Sequence, residues 1–260
     1  MNYAEIAKQS RLKCLELVFK AQTSHIGSLM SCADIFAVLF ERIDLKKDKF
    51  ILSAGWKACM LYYHLWRKGV IRETELNSYC QSGSKFIGLA ENIIPEIPFA
   101  GGSMGMGLPA AVGFALSKKL KGEEGMVYVL MSDGEMQCGT TWEAALIAHQ
   151  HKLNNLFVIV DFNYLQAMGR VEDILDIEPL RFKFSDFGWN AFETNGHDYE
   201  LMENAINQAH EFLGEDDKPI CMIVRTTKGK GVSFMEGNNL WHYAQIKEDD
   251  YKKALAELNG

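Results

Sequence analysis

Apolar residues fall along this chain in two rhythms, and the rhythm changes where one element gives way to the next. Residues 3–20 and 31–42 repeat their apolar positions every three to four residues, which predicts two amphipathic helices. The short run DKFILS at 48–53 predicts a first strand, and a helical pattern from about 56 to 68 follows it, stopping near Gly69. From 81 to 103 the pattern dissolves into Gly, Pro, Ser and Asn, predicting a long irregular segment; in compact domains such segments are usually functional. Gly101, Gly102, Gly105 and Gly107 then lead into a helix of small residues at 108–120. Two dense apolar runs, MVYVLM at 126–131 and LFVIV at 156–160, predict strands, and between them Trp142, Ala145, Leu146 and His149 recur at offsets 0, 3, 4 and 7. A long connection at 164–188 carries Gly169 and Pro179. It leads to a strand near 189–194, a helix to about 213, a solvated turn GEDDK, a strand at 219–226 and a short C-terminal helix. No repeat or low-complexity segment interrupts the order.

Strand, turn, helix, strand is a right-handed crossover, and it puts two parallel strands in one sheet. The fold class expected is α/β: a mainly parallel open sheet with helices on both faces, in a single domain over 1–260. In such sheets the carboxyl ends of the strands form the ligand-binding edge. Asp133 and Asn163 both fall there, offering a carboxylate and an amide oxygen to a hard cation such as magnesium, which takes oxygen ligands and keeps the phosphates of its partner. Gly134 lets a diphosphate approach the backbone closely. The glycine-rich turn before helix 108–120 is a second anion cradle by geometry, because free N–H groups and the helix dipole favour negative charge there. An ordinary βαβ unit whose Asp caps a helix accounts for the same residues without chemistry.

Composition narrows the classes. With 260 residues, 48% of them hydrophobic, the chain can bury one large core. A formal charge of −7 argues against nucleic acid as the main partner, and the short basic clusters Lys46, Lys47, Lys49 and Lys228, Lys230 read as loops. No apolar run reaches the roughly twenty residues of a membrane span, and the N-terminal stretch lacks the apolar centre of a secretory signal. Six cysteines without paired spacing (Cys14, Cys32, Cys59, Cys80, Cys138, Cys221) behave as small buried hydrophobes in a reducing compartment, so a cytoplasmic location is expected. No Cys/His group has zinc-ligand spacing.

With these pieces in order, the chain resembles the N-terminal half of transketolase. The matching words are SHIGSLMSCADIFAVLF, GSMGMGLPAAVGFAL, the Asp133 to Asn163 segment, NGHD, RTTKGKGVSFME and WHYA. The resemblance implies the thiamine-diphosphate-binding fold, with thiamine diphosphate and magnesium as cofactors. It implies Asp133, Asn163 and the Leu165 carbonyl as metal ligands. Cofactor contacts are implied from Gly105, Met106, Gly107, Asp133, Gly134, Glu135, Asn163, Leu165, Trp56 and His242. His25 and His242 are the implied catalytic histidines; His25, Trp56 and Leu89 are the implied substrate-pocket residues, and His197 is expected to be structural. Full-length relatives carry a following pyrimidine-binding domain that supplies an activating glutamate. Here that domain is expected on a separate C-terminal transketolase-like subunit, two copies of each chain forming a heterotetramer.

Four departures from the resemblance bear on function, one of them small. Trp56 stands where transketolases usually carry a histidine that touches the cofactor phosphate and the substrate, and Leu89 where they carry one that binds the donor's terminal hydroxyl; Cys138 stands where a glutamate is common, and Ser132 replaces a glycine, the smaller change. A buried hydroxyl without a partner costs on the order of 1–3 kcal/mol, enough to shift donor preference about tenfold. The leading expectation is transfer of a two-carbon unit from a ketose-type donor to an aldehyde acceptor. The alternative is an acyloin-forming enzyme that transfers a hydroxyethyl unit from a 2-oxo acid such as pyruvate, and a non-enzymatic scaffolding role is the third reading.

Overall fold

The computed structural model describes residues 2–215 and 217–260; Asp216 of the expected GEDDK turn lies outside them. The elements in chain order are α1 (Tyr3–Ala21), α2 (Ile26–Arg42), β1 (Lys49–Leu52), α3 (Ala58–Arg67), α4 (Glu73–Asn77), α5 (Gly107–Lys121), β2 (Val127–Ser132) and α6 (Gly139–Gln150). There follow β3 (Leu156–Phe162), β4 (Leu165–Gln166), β5 (Gly169–Arg170), α7 (Val171–Ile174), α8 (Leu180–Asp186), β6 (Asn190–Asn195), α9 (Tyr199–Glu215), β7 (Ile220–Arg225) and α10 (Glu248–Asn259).

Five strands form one parallel sheet in the order β1-β2-β3-β7-β6, with β2, β3 and β7 in its interior. Alternation along the strands divides the core in two. Phe50, Leu52, Tyr128, Leu130, Phe157 and Ile159 face a layer built from α1, α2, α3, α9 and α10. Ile51, Val127, Val129, Met131, Val158 and Val160 face the layer of α5, α6 and α8. The expected α/β class is the observed one. Strand order runs outward from β1 to β3, resumes at the far edge with β6 and returns at β7. The direction of winding therefore reverses between β3 and β7, the place where open α/β sheets leave a crevice.

Three expectations need correction. The second helix begins at Ile26, five residues before the predicted start, and every residue from Ile26 to Phe40 is buried. Its first turn carries Gly27 because the loop of Lys228 and Trp241 packs against it: a Cβ on Gly27 would lie 3.2 Å from the Lys228 side chain and 3.3 Å from the Trp241 carbonyl. Tertiary packing overrides the poor helix propensity of glycine there. On α6 the buried face is Thr141, Ala144, Ala145 and Ala148, while Leu146 and His149 of the predicted stripe are exposed; small residues let the helix sit close to the sheet. The connection 164–188 is not featureless: it holds the β4–β5 hairpin, α7 and α8. The segment 81–106 is irregular, as expected. Backbone bonds from Ala90 N to Gly55 O (2.9 Å) and from Gly101 N to Ala90 O (2.8 Å) pin it to the end of β1.

Candidate cofactor and active site

The carboxyl ends of β1, β2 and β3 open onto one cavity of about 310 Å³. Its wall contains His25, Ser28, Trp56, Lys57, Leu89 and Met104 from the helical side, and Asp133, Gly134, Asn163, Leu165, Gln166 and His242 around the sheet edge.

Asp133 begins a turn of 3-10 helix after β2 and is 1% exposed. One carboxylate oxygen accepts from Gly134 N (2.8 Å) and the other from Asn163 N (3.0 Å) and Tyr164 N (2.7 Å). Two of these donors come from the end of β3, so β2–β3 pairing, with Ser132 opposite Asp161, sets the geometry. Presenting both amides to one oxygen puts Tyr164 at φ 69°, a left-handed conformation that costs a non-glycine residue of order 1–3 kcal/mol. Burial, and then the neighbouring Asp161 carboxylate, push the Asp133 pKa up to about 7. Asp161 itself is compensated: it accepts from Lys57 Nζ (2.6 Å), Ser31 Oγ (2.7 Å) and the Thr226 hydroxyl.

A second buried cation stands behind the part of the wall formed by Leu165 and His242. Lys228, 0% exposed, donates to the Leu165 carbonyl (3.2 Å), Asn239 Oδ1 (3.3 Å) and His242 Nδ1 (2.8 Å). Burial lowers its pKa to about 8. Because His242 Nδ1 accepts from an ammonium, its ring proton sits on Nε2. Burial, then Lys228, lower the His242 pKa to about 3, and the same two causes lower His25 to about 4; both rings are neutral near pH 7. The two rings meet edge to face with centroids 5.0 Å apart, His25 N donates to the His242 carbonyl (2.9 Å), and His25 Nδ1 lies 2.8 Å from Ser24 Oγ. His25, at φ 71°, is the left-handed cap of α2, which turns its ring to the cavity mouth.

Of the residues the sequence singles out, His25, Trp56, Leu89, Asp133, Gly134, Asn163, Leu165 and His242 come together in this one wall. Gly105, Met106, Gly107 and Glu135 lie behind it. Glu135, fully buried, accepts from Ser132 N (2.8 Å), the Ser53 hydroxyl and Gly105 N (3.4 Å), tying the ends of β1 and β2 to the glycine loop. Gly105 has φ 75°, and a Cβ there would lie 2.5 Å from Cys138 Cβ; a Cβ on Gly107 would overlap the Ser53 side chain. Met106 is 42% exposed. Sequence reasoning misses Lys57, Tyr164 and Lys228 as site residues. Lys228 lies in a loop as expected, but that loop buries it, and the one sequence signal for a site role is its place inside RTTKGKGVSFME.

The donor set suits a divalent cation that brings its own anion. Among the described residues Lys57 pairs with Asp161 rather than Asp133, and no cluster of three or more His, Cys, Asp or Glu side chains could hold a metal alone. A buried carboxylate held only by N–H groups, with the Asn163 amide and Leu165 carbonyl beside it, has Lys57 acting on it at a distance but no directly paired positive charge among the described residues. A cation bridging these oxygens to a diphosphate would supply it, with Gly134 leaving room: a Cβ there would lie 3.3 Å from Gln166 Cβ.

The family described as "Transketolase, thiamine diphosphate binding domain" matches residues 3–259. The chain is similar to an apulose-4-phosphate transketolase subunit of Phocaeicola vulgatus, at 34% identity over 97% of this chain and 92% of that protein. It is similar to a 6-deoxy-6-sulfo-D-fructose transketolase subunit of a Clostridium species, at 31% identity over 94% and 91% of the two chains. Transketolase from Campylobacter jejuni superposes with a TM-score of 0.89 at 29% identity, over 100% of this chain and 43% of that one. The chain thus spans less than half of that solved transketolase and nearly all of the two subunits.

Proposed function

The chain belongs to the transketolase family through its thiamine diphosphate-binding domain, and on that premise we propose that it is the diphosphate-binding subunit of a two-chain transketolase-like enzyme. The reaction is transfer of a two-carbon unit from a ketose-type donor to an aldehyde acceptor. The observation that carries this reading is the buried Asp133 carboxylate at the end of β2, which has no salt-bridge partner among the described residues, with Asn163 and the Leu165 carbonyl beside it. Those three groups would hold magnesium, and Gly134 and the edge of the glycine loop would face the diphosphate. Bound there, thiamine diphosphate supplies an electron sink for breaking a carbon–carbon bond next to a carbonyl.

The chain's own residues bind, orient and exclude water. His242, with Nδ1 engaged by Lys228, offers its Nε2–H to an oxygen in the cavity, and neutral His25 presents a ring at the mouth able to donate or accept. Trp56, Leu89 and Met104 form an apolar wall opposite Asp133 that keeps water from the reacting atoms. The sugar-derived names of the similar subunits favour a ketose donor over a 2-oxo acid.

The description of similar proteins as subunits supports a separate partner. In this reading the partner carries the pyrimidine-binding domain and two copies of each chain assemble. Six free thiols suit a reducing, cytoplasmic setting, and no helix among the described residues is long and apolar enough to cross a membrane. The test is to purify the chain with its partner and assay for magnesium- and thiamine-diphosphate-dependent release of aldose from ketoses, with carbon dioxide release from pyruvate measured alongside. Ketose cleavage without pyruvate decarboxylation is expected. Pyruvate decarboxylation alone would replace the donor assignment, and turnover of neither would overturn the proposal.

A further inference from the structure

We propose that His197, which lies outside the cavity, is a positioning residue that sets the place of the Lys228 ammonium against the Leu165 carbonyl and His242 of the cavity wall. The inference rests on the functional reading above for its consequence, and on geometry alone for its physical content.

His197 follows β6 in the turn NGHD, and Lys228 follows β7 in TTKGKG; the two strands are neighbours, with Asn195 opposite Arg225. The turn is locked in place, since Gly196 N donates to the Arg225 carbonyl (2.8 Å) and His197 N to Asn195 Oδ1 (3.0 Å). On one side of the ring, Nδ1 lies 2.7 Å from Asp34 Oδ2. Asp34, 2% exposed on α2, also accepts from Arg11 NH1 (3.0 Å), Arg11 NH2 (2.5 Å) and Tyr199 OH (2.6 Å), so it remains a carboxylate and an acceptor. An acceptor at Nδ1 places the ring proton there and leaves the Nε2 lone pair free. That lone pair accepts from Thr227 N at 2.8 Å.

Thr227 is one of several attachments that fix the loop carrying Lys228, among them bonds from Thr226 N to the Phe162 carbonyl (3.0 Å) and from Gly237 N to the Lys228 carbonyl (2.9 Å). The Thr226 hydroxyl binds Asp161, Thr227 N binds His197, and Gly229 N donates to Gly27 O (2.9 Å). Of these, the His197 bond is the one adjacent to Lys228 that a side chain outside the cavity provides. Without it the Thr227 amide loses its acceptor, and the loop must rotate to satisfy it. A rotation of residue 227 moves Lys228 away from the Leu165 carbonyl and His242, the contacts that hold the cation behind the pocket wall and set the tautomer of the histidine. Asp34, His197 and Thr227 thus form a relay from the helical layer to the cofactor cavity, of the kind in which an outer hydrogen bond orients an inner ligand.

Two measurements on the full chain, purified with its partner, test this. The first is competitive lysine acetylation with acetic anhydride, read by mass spectrometry at Lys228, with buried Lys57 as internal control. In His197→Phe, acetylation of Lys228 should rise about tenfold while Lys57 stays protected, and His197→Gln, which keeps an acceptor for Thr227 N–H, should restore most of the protection. Unchanged labelling of Lys228 in His197→Phe overturns the proposal. So does a parallel rise at Lys57 in both variants, which would make His197 a general support of the fold. The second is a double-mutant cycle on the affinity for thiamine diphosphate with magnesium. His197→Phe should weaken binding about tenfold alone and less than about twofold when Lys228→Met is already present; equal losses in both backgrounds overturn the relay. If the unsubstituted protein takes up no thiamine diphosphate, the functional reading fails and the acetylation result alone decides the role of His197.

Discussion

His64 is 0% exposed, packed between Phe36 and Phe40 with centroids 5.3 and 5.2 Å away, and neither ring nitrogen has a hydrogen-bond partner among the described residues. Burial holds its pKa well below 6.5, so the unfolded chain takes up the proton first. Its share of stability is therefore complete above pH about 6.5 and is lost as the pH falls, at about 1.4 kcal/mol per pH unit until the folded pKa is reached. His64→Leu should raise the melting temperature at pH 5.5 more than at pH 7.5; a gain independent of pH would contradict this. Leu89 lines the cavity with an apolar side chain, where the proposed function would place the donor. Leu89→Asn should shift the ratio of kcat/KM between a more and a less hydroxylated ketose about tenfold toward the former, and an unchanged ratio would remove Leu89 from donor recognition. At this scale Asp133 and Asn163 are legible in the sequence because each ends a dense apolar run. Lys228 is not, because only the pairing of β7 with β3 and the packing of Gly27 against the loop bring a surface-looking lysine inside.

Elements fit together here through backbone approaches that side chains would block. The start of α5 lies against the end of β1 and the turn into α6, so Gly105→Ala, which combines φ 75° with a Cβ 2.5 Å from Cys138, should cost at least about 2 kcal/mol. Gly113, on the same helix with nothing within 4 Å of its Cβ position, is the control: Gly113→Ala should stabilise by about 0.5–1 kcal/mol. Urea denaturation of the two variants checks both signs, and equal effects would mean that the close approach is not what the glycines serve. Strands and long helices are readable from the period of their apolar residues, with bounds within a few residues. The misassigned face of α6 arises because that helix buries small residues rather than large ones, so the large-residue periodicity that marks an amphipathic helix points away from the buried face. At the start of α2 the large residues Ile26, Leu29 and Met30 are buried, and it is Gly27 and Ser28 between them that break the helical pattern.

At the scale of the whole molecule, the sheet order brings together groups that lie far apart in sequence: His25 before α2, Lys57 after β1, Asp133 after β2, Asn163 after β3 and Lys228 after β7. No local pattern contains that gathering; it follows from parallel pairing, which leaves every strand's carboxyl end at one edge. The order of the motif words carries it indirectly, since words that recur in one sequence order come from one fold. The cavity so formed holds a carboxylate with no salt-bridge partner among the described residues and is the part of the molecule that a cofactor and its metal would complete. Isothermal titration calorimetry of thiamine diphosphate into the chain with its partner, in magnesium and then in EDTA, reads this directly. Saturable uptake is predicted only with magnesium, and Asp133→Ala should weaken it by at least about a hundredfold. Uptake that ignores the metal, or that survives the loss of Asp133 unchanged, would contradict the account.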